Sequence, residues 1–196
     1  MATPDKLKRY QKAKFENYKK VNELKINDNE AYIEMRINGF DDIKDDYCLT
    51  DGIVLKQEFI DAILLRTNYI PLDYPLVLQI YNNTFTSSEK ILVRKLIKNY
   101  FTLAKIDKEM ELKKLRRKIY FFLFFAFIGL VLFLLTAIGE LKTFKELISF
   151  IASFITSFSI WECSELIVFG EDDLKEQIIK YKHLSKIRVV FNKDNS

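Results

Sequence analysis

Cysteine, histidine, tryptophan, proline and glycine are all scarce in this chain, at two, one, one, three and five residues of 196. Each shortage removes a class of protein. Cys48 lies in an acidic stretch and Cys163 in an apolar one, so they form neither a disulfide framework nor a metal-ligand pair, and they fit a reducing compartment. The lone His183 leaves no His-Glu-x-x-His site and reads as a packing or solvent-facing residue. There is no phosphate loop, no Gly-x-Gly-x-x-Gly after a strand and no nucleophile elbow. The first 25 residues lack the uninterrupted apolar core of a secretory signal. No catalytic residue, cofactor or metal ligand is therefore expected, and the chain reads as a non-enzyme.

Hydrophobic residues, at 49%, and charged ones, at 30%, are both abundant, and seventeen are Phe. High values of both arise when apolar segments are segregated from charged ones. A length of 196 residues then suits one small domain with a membrane anchor.

Residues 119–138 contain no charge. At about 1.5 Å per residue they reach roughly 30 Å, the thickness of a bilayer's hydrocarbon core. A second uncharged run, Leu147–Trp161, has fifteen residues and needs its flanks to span, from Phe144 and a snorkelling Lys145 to Leu166–Phe169. The expected hairpin is 119–170, with spans 119–138 and 144–169. Twelve Lys or Arg lie in 105–118 and 171–188, against only Lys142 and Lys145 in the connecting loop. The positive-inside rule places both termini in the cytoplasm, with the chain multi-pass in a cell inner membrane.

Residues 1–27 read as a basic, partly helical arm, with eight Lys or Arg by residue 25, either solvated or lying on anionic lipid. Residues 31–38 alternate as a strand. An acidic loop follows with Asp41, Asp42, Asp45, Asp46 and Asp51, whose spacing does not match a Ca²⁺ loop. A helix at 54–67 and a second strand at 75–81, bounded by Pro71, Pro75 and Asn82-Asn83, complete a β-α-β unit. Thr86-Ser-Ser-Glu89 has capping-box spacing. No Pro or Gly follows until Gly129, so one helix is predicted from about residue 87 through 118 into the first span. In this reading 28–118 is a cytoplasmic domain. Residues 171–196 complete it with a helix at 172–185 and a strand at 186–191. The fold class is an α+β cytoplasmic domain of about three strands plus helices, joined to an α-helical transmembrane hairpin.

This order of elements resembles a group of small uncharacterised bacterial membrane proteins. The likeness rests on a β-α-β domain, the basic run 112–118, two spans, Trp161-Glu-Cys-Ser-Glu165 ending the second span, and a tail helix with Tyr181-Lys-His-Leu184 before a last strand. It covers roughly residues 30–191. Members often carry Arg after the Trp, where this chain has Glu162. The resemblance implies topology and brings no activity or ligand with it.

The candidate site residues lie in and beside the spans. Ser149, Ser153, Thr156 and Ser157 recur at three- and four-residue steps, with Trp161, Glu162 and Glu165 below them, as a membrane-interface or helix-contact face. Small hydroxyl residues there would pack closely on Ala126, Gly129 and Thr136, or line a contact or pore between copies. Lys113, Lys114, Arg116, Arg117 and Lys118 form a basic membrane-surface cluster suited to anionic lipid. Nucleic-acid binding, which a pI of 8.8 suggests, ranks below lipid contact because the excess charge lies beside the membrane and in the arm. The functional expectation is a cytoplasmic domain that binds a partner or assembles a homo-oligomer. The alternative is a signal- or ligand-gated effector or channel formed by oligomerised hairpins.

Overall fold

The computed structural model describes residues 26–27, 29–45, 54–139 and 145–193. The arm up to residue 25, Cys48, Asp46, Asp51 and the loop residues 140–144 lie outside the described residues. The fold is α+β, and two of its helices are long and apolar enough to cross a membrane. The chain falls into two compact units. One is built from both ends, through Lys105 and again from Ile179, and the other is Ile106–Ile178.

The first unit is organised on a four-stranded sheet in the order β1-β2-β3-β4, from Ile26–Asn27, Glu30–Arg36, Leu76–Tyr81 and Arg188–Asn192. β2, β3 and β4 run parallel, with Ala31 opposite Leu76 and Leu78 opposite Val189. The three predicted strands are present within two residues of their expected bounds. β1 is an addition: the last two residues of the predicted arm pair antiparallel with β2. Asn29 makes that reversal at φ 65°, a left-handed conformation that asparagine tolerates better than most residues.

Helix α1, Gln57–Thr67, crosses from β2 to β3. It buries Phe59, Ile60 and Ile63 in a core with Ala31, Ile33 and Met35 of β2 and Leu76, Leu78 and Ile80 of β3. Strand alternation sends those sheet residues to one face, and the helix spacing of three and four meets them. α2, Ser87–Ile138, is one unbroken helix of 52 residues, and its Val93, Ile97 and Phe101 are fully buried in this core. From α4, Asp172–Leu184, the core receives Leu184, while Tyr181 stacks on Phe101.

The start of α2 is held in two ways. Thr86 and Glu89 form the expected capping box, the Glu89 carboxylate accepting from Thr86 N at 2.8 Å and Thr86 Oγ1 accepting from Glu89 N at 3.3 Å. The Thr86 N–H, together with the Thr86 hydroxyl that donates to the same carboxylate at 2.7 Å, holds the Glu89 carboxyl below the usual range. The second device is the buried Asn82, which ends β3. Its Nδ2 donates to the carbonyls of Ile37 and Asn38 at 2.7 and 3.1 Å, and its Oδ1 accepts from Thr84 N and Phe85 N, both at 2.7 Å. One side chain thus joins the end of β2 to the entry of α2.

Arginines occupy an outward-facing acceptor on β4 and another on β2 beyond its short pairing with β1. Asn192 turns its carbonyl toward β3, so strand alternation turns that of Val189 outward, where Arg94 Nε donates to it at 3.1 Å. On the other side Ala31 faces β3 and Glu34 faces away, and the Arg66 guanidinium donates to the Glu34 carbonyl. Occupied edge acceptors make a sheet a poorer template for another strand.

In the second unit α2 runs antiparallel to α3, Lys145–Glu165. Below α3 the helix widens into a π-helical stretch, Leu166–Glu171, and then resumes as α4. The apolar pattern predicts ordinary helix to residue 169. Nothing in residue type marks the widening.

Candidate functional site

The two long helices meet along a seam of small residues. On α2 the buried positions are Ile119, Ala126, Gly129 and Thr136, and on α3 they are Ala152, Ser159 and Cys163, with Thr156 half-buried between them. These steps of three, four and seven give the 3.5-residue repeat that keeps one face turned to a partner helix. Gly129 marks a close approach of the two helices. A Cβ there would lie 3.0 Å from the Ala152 carbonyl and against Thr156 Oγ1 as well. Thr156 Oγ1 donates to Ala152 O at 2.8 Å, Thr136 Oγ1 to Phe133 O at 2.7 Å, and Cys163 Sγ reaches Ile119 O at 3.5 Å. The Thr136 and Thr156 hydroxyls are therefore satisfied by carbonyls of their own helices, as an apolar surrounding requires.

The predicted face of α3 divides in the structure. Thr156 sits on the seam, Ser149 is half-buried, and Ser153 and Ser157 are exposed on the outer side. Ala152, Ser159 and Cys163 carry the rest of the contact. A pattern of hydroxyls alone misses Ala152 and Cys163 and does not single out Ser159, whereas the 3.5-residue repeat finds all three. Trp161 is 70% exposed, as are Tyr120 and Phe121 in large part, giving aromatics on both helices near the Ile119–Cys163 level.

The basic cluster lies one to two turns below. Lys113, Lys114, Arg116, Arg117 and Lys118 are all exposed at their positions on α2. Glu165 is exposed as well, whereas Glu162 is half-buried. The carboxylate that meets an arginine is a third one, Glu171, at the end of the π-helical stretch. Arg116 Nη2 donates to it at 2.8 Å and Lys175 Nζ lies 3.3 Å away, and its side chain is 16% exposed. The Arg116 hydrogen bond, opposed by burial and helped by Lys175, holds the Glu171 carboxyl below the usual range. One residue earlier, Gly170 is packed on Leu115, where a Cβ would stand 3.2 Å from a Leu115 methyl.

Two grooves open beside this pair. One, of about 310 Å³, is lined by Arg116, Ile119, Tyr120, Ile167 and Glu171. The other, of about 520 Å³, is lined by Arg117, Lys118, Phe121, Phe122, Glu162 and Leu166. Each places charged heads against aromatic and aliphatic walls. Among the described residues no group of three or more His, Cys, Asp or Glu side chains is placed to hold a metal ion. Asp42 of the acidic loop instead accepts from the backbone of Asn38 at 2.9 Å. Comparison with protein-family models, curated proteins and solved structures finds no match to this chain.

Proposed function

We propose that the chain is a non-enzymatic integral membrane protein of a bacterial inner membrane, spanning twice with both termini cytoplasmic, whose α+β domain binds a partner or assembles the chain into an oligomer. The observation that carries this reading is the exposure of the apolar helices. Only 11% of the most apolar 18-residue window of α2 is buried, and 17% of the corresponding window of the second long helix. Phe121, Phe124, Phe127, Leu130 and Leu134 on α2 and Phe150, Phe154, Phe158 and Ile160 on α3 are exposed. A soluble domain rarely leaves an apolar surface of this extent open to water.

The seam register supports a matched pair of spans. Ile119 lies against Cys163, so 119–138 and 145–163 run side by side for about 30 Å at 1.5 Å per residue. Leu166–Glu171 then runs beside the basic turn of α2, at headgroup level, with Trp161 and Tyr120 as interfacial aromatics. The order of elements also supports grouping the chain with the small bacterial membrane proteins it resembles. Alkaline carbonate extraction of membranes tests insertion: the full chain stays in the pellet, and release into the supernatant overturns the reading.

One observation favours the second reading, an oligomeric effector or channel. Ser153, Ser157 and Ser164 are exposed away from the seam, where they would face lipid in a monomer. Conductance of reconstituted liposomes separates this from a passive hairpin, because a monomeric pair of helices encloses no aqueous path.

A further inference from the structure

We propose that the groove between Glu162 and the Arg117–Lys118 pair is a binding site for a phospholipid whose headgroup joins a phosphodiester to a primary ammonium. This inference rests on the membrane reading above. The two grooves at this level differ in one respect that decides the ligand. In the smaller, the carboxylate is already committed, since Glu171 accepts from Arg116 and has Lys175 beside it. In the larger, Arg117, Lys118 and Glu162 have no ion-pair partner among the described residues, although all three line one space of about 520 Å³.

Separated charges of both signs in one groove call for a ligand with both signs. A phosphodiester placed between Arg117 and Lys118 receives charge-assisted hydrogen bonds, and an ammonium on the same headgroup donates to Glu162. Phe121 and Phe122, one turn further into the span, supply the apolar wall against which an acyl chain lies. A headgroup with phosphate alone satisfies the cations but sets its negative charge beside a carboxylate. A trimethylated ammonium keeps the charge and loses the N–H donors.

The test is native mass spectrometry of the full chain in detergent, with equimolar phosphatidylethanolamine, phosphatidylcholine and phosphatidylglycerol of identical acyl chains. The ethanolamine lipid is expected to give roughly tenfold more adduct than the choline lipid, the size of one charge-assisted hydrogen bond. Glu162→Gln is expected to bring that ratio near one while keeping adduct formation, and Arg117→Gln with Lys118→Gln to lower all three adducts. Equal ethanolamine and choline adducts on the native chain, a ratio unchanged by Glu162→Gln, or a preference for phosphatidylglycerol would each overturn the proposal. A chain retained in carbonate-washed membranes but indifferent to headgroup loses this site only, whereas a chain released by carbonate loses the membrane reading itself.

Discussion

Arg116 and Glu171 stand 55 positions apart in the chain and meet at 2.8 Å, joining α2 to the point where the π-helical stretch ends. The pair lies where the apolar seam gives way to charged helix, so it fastens the lower end of the hairpin. Its acid component is depressed by the arginine, which fixes the sign of its pH dependence. A folded carboxyl held below its unfolded value contributes stability above the usual carboxylate range and loses it as pH falls through the depressed value.

Glu171→Gln is therefore expected to lower the detergent melting temperature at neutral pH by the equivalent of about 1 kcal/mol, a modest effect for a partly exposed pair. The difference from the native chain shrinks as the pH is taken down through the acid range. Thermal scans at a series of pH values check this. A difference that does not change with pH would assign the loss to packing rather than charge.

The close approach of α2 and α3 at Gly129 gives a second expectation. Gly129→Leu places a side chain where even a Cβ meets the Ala152 carbonyl and Thr156, so the helices must separate. The cost is on the order of 1–3 kcal/mol, as for overpacking in a core. Leu130→Ala, one position on and exposed, is expected to change the melting temperature little. Equal effects of the two would show that the seam is not a packing face.

In the α+β domain Asn82→Ala removes acceptor and donor together. Ile37 O, Asn38 O, Thr84 N and Phe85 N each lose a partner, and the expected loss is on the order of 2–4 kcal/mol. Hydrogen exchange localises it: the amides of Thr84 and Phe85 are expected to exchange faster, while those within the hairpin are unchanged. Unaltered protection at Thr84 and Phe85 would contradict the role given to Asn82.

The strands at β2 and β3, the capping box at Thr86 and the unbroken helix beyond it were legible because each is written in a local pattern of residue types. Asn82 was read only as a turn residue, since its four partners come from positions as distant as Ile37. Glu171 was invisible as a site because its partner is Arg116, and ion pairing across a hairpin depends on a register that spacing alone does not fix. The π-helical stretch shifts that register by inserting a residue into the turn, which no pattern of side chains announces. Spacing groups Ser153 and Ser157 with Thr156, and the structure leaves them exposed beside the seam on which Thr156 is half-buried.

His183 supplies a spectroscopic check, since it is the one histidine of the chain. Its Nε2 lies 2.9 Å from the Tyr74 carbonyl. Burial lowers its pKa, against the opposing pull of that hydrogen bond. The folded imidazole is thus expected to titrate below a free histidine, in a single transition followed by nitrogen-correlated NMR. A folded pKa below the unfolded one means the unfolded state binds more protons, so the domain loses stability as pH falls through the unfolded value toward the folded one. A midpoint above the free value would contradict the burial.

The most direct measurement of the central claim is thiol labelling in intact cells. With Cys48 and Cys163 replaced by serine and alanine, single cysteines are introduced as Thr50→Cys, Lys142→Cys and Asn192→Cys. An impermeant maleimide is expected to label the Lys142→Cys chain alone, and all three after the membrane is permeabilised. Labelling of Thr50→Cys or Asn192→Cys in intact cells, or protection of Lys142→Cys there, would contradict a two-span hairpin with both termini in the cytoplasm.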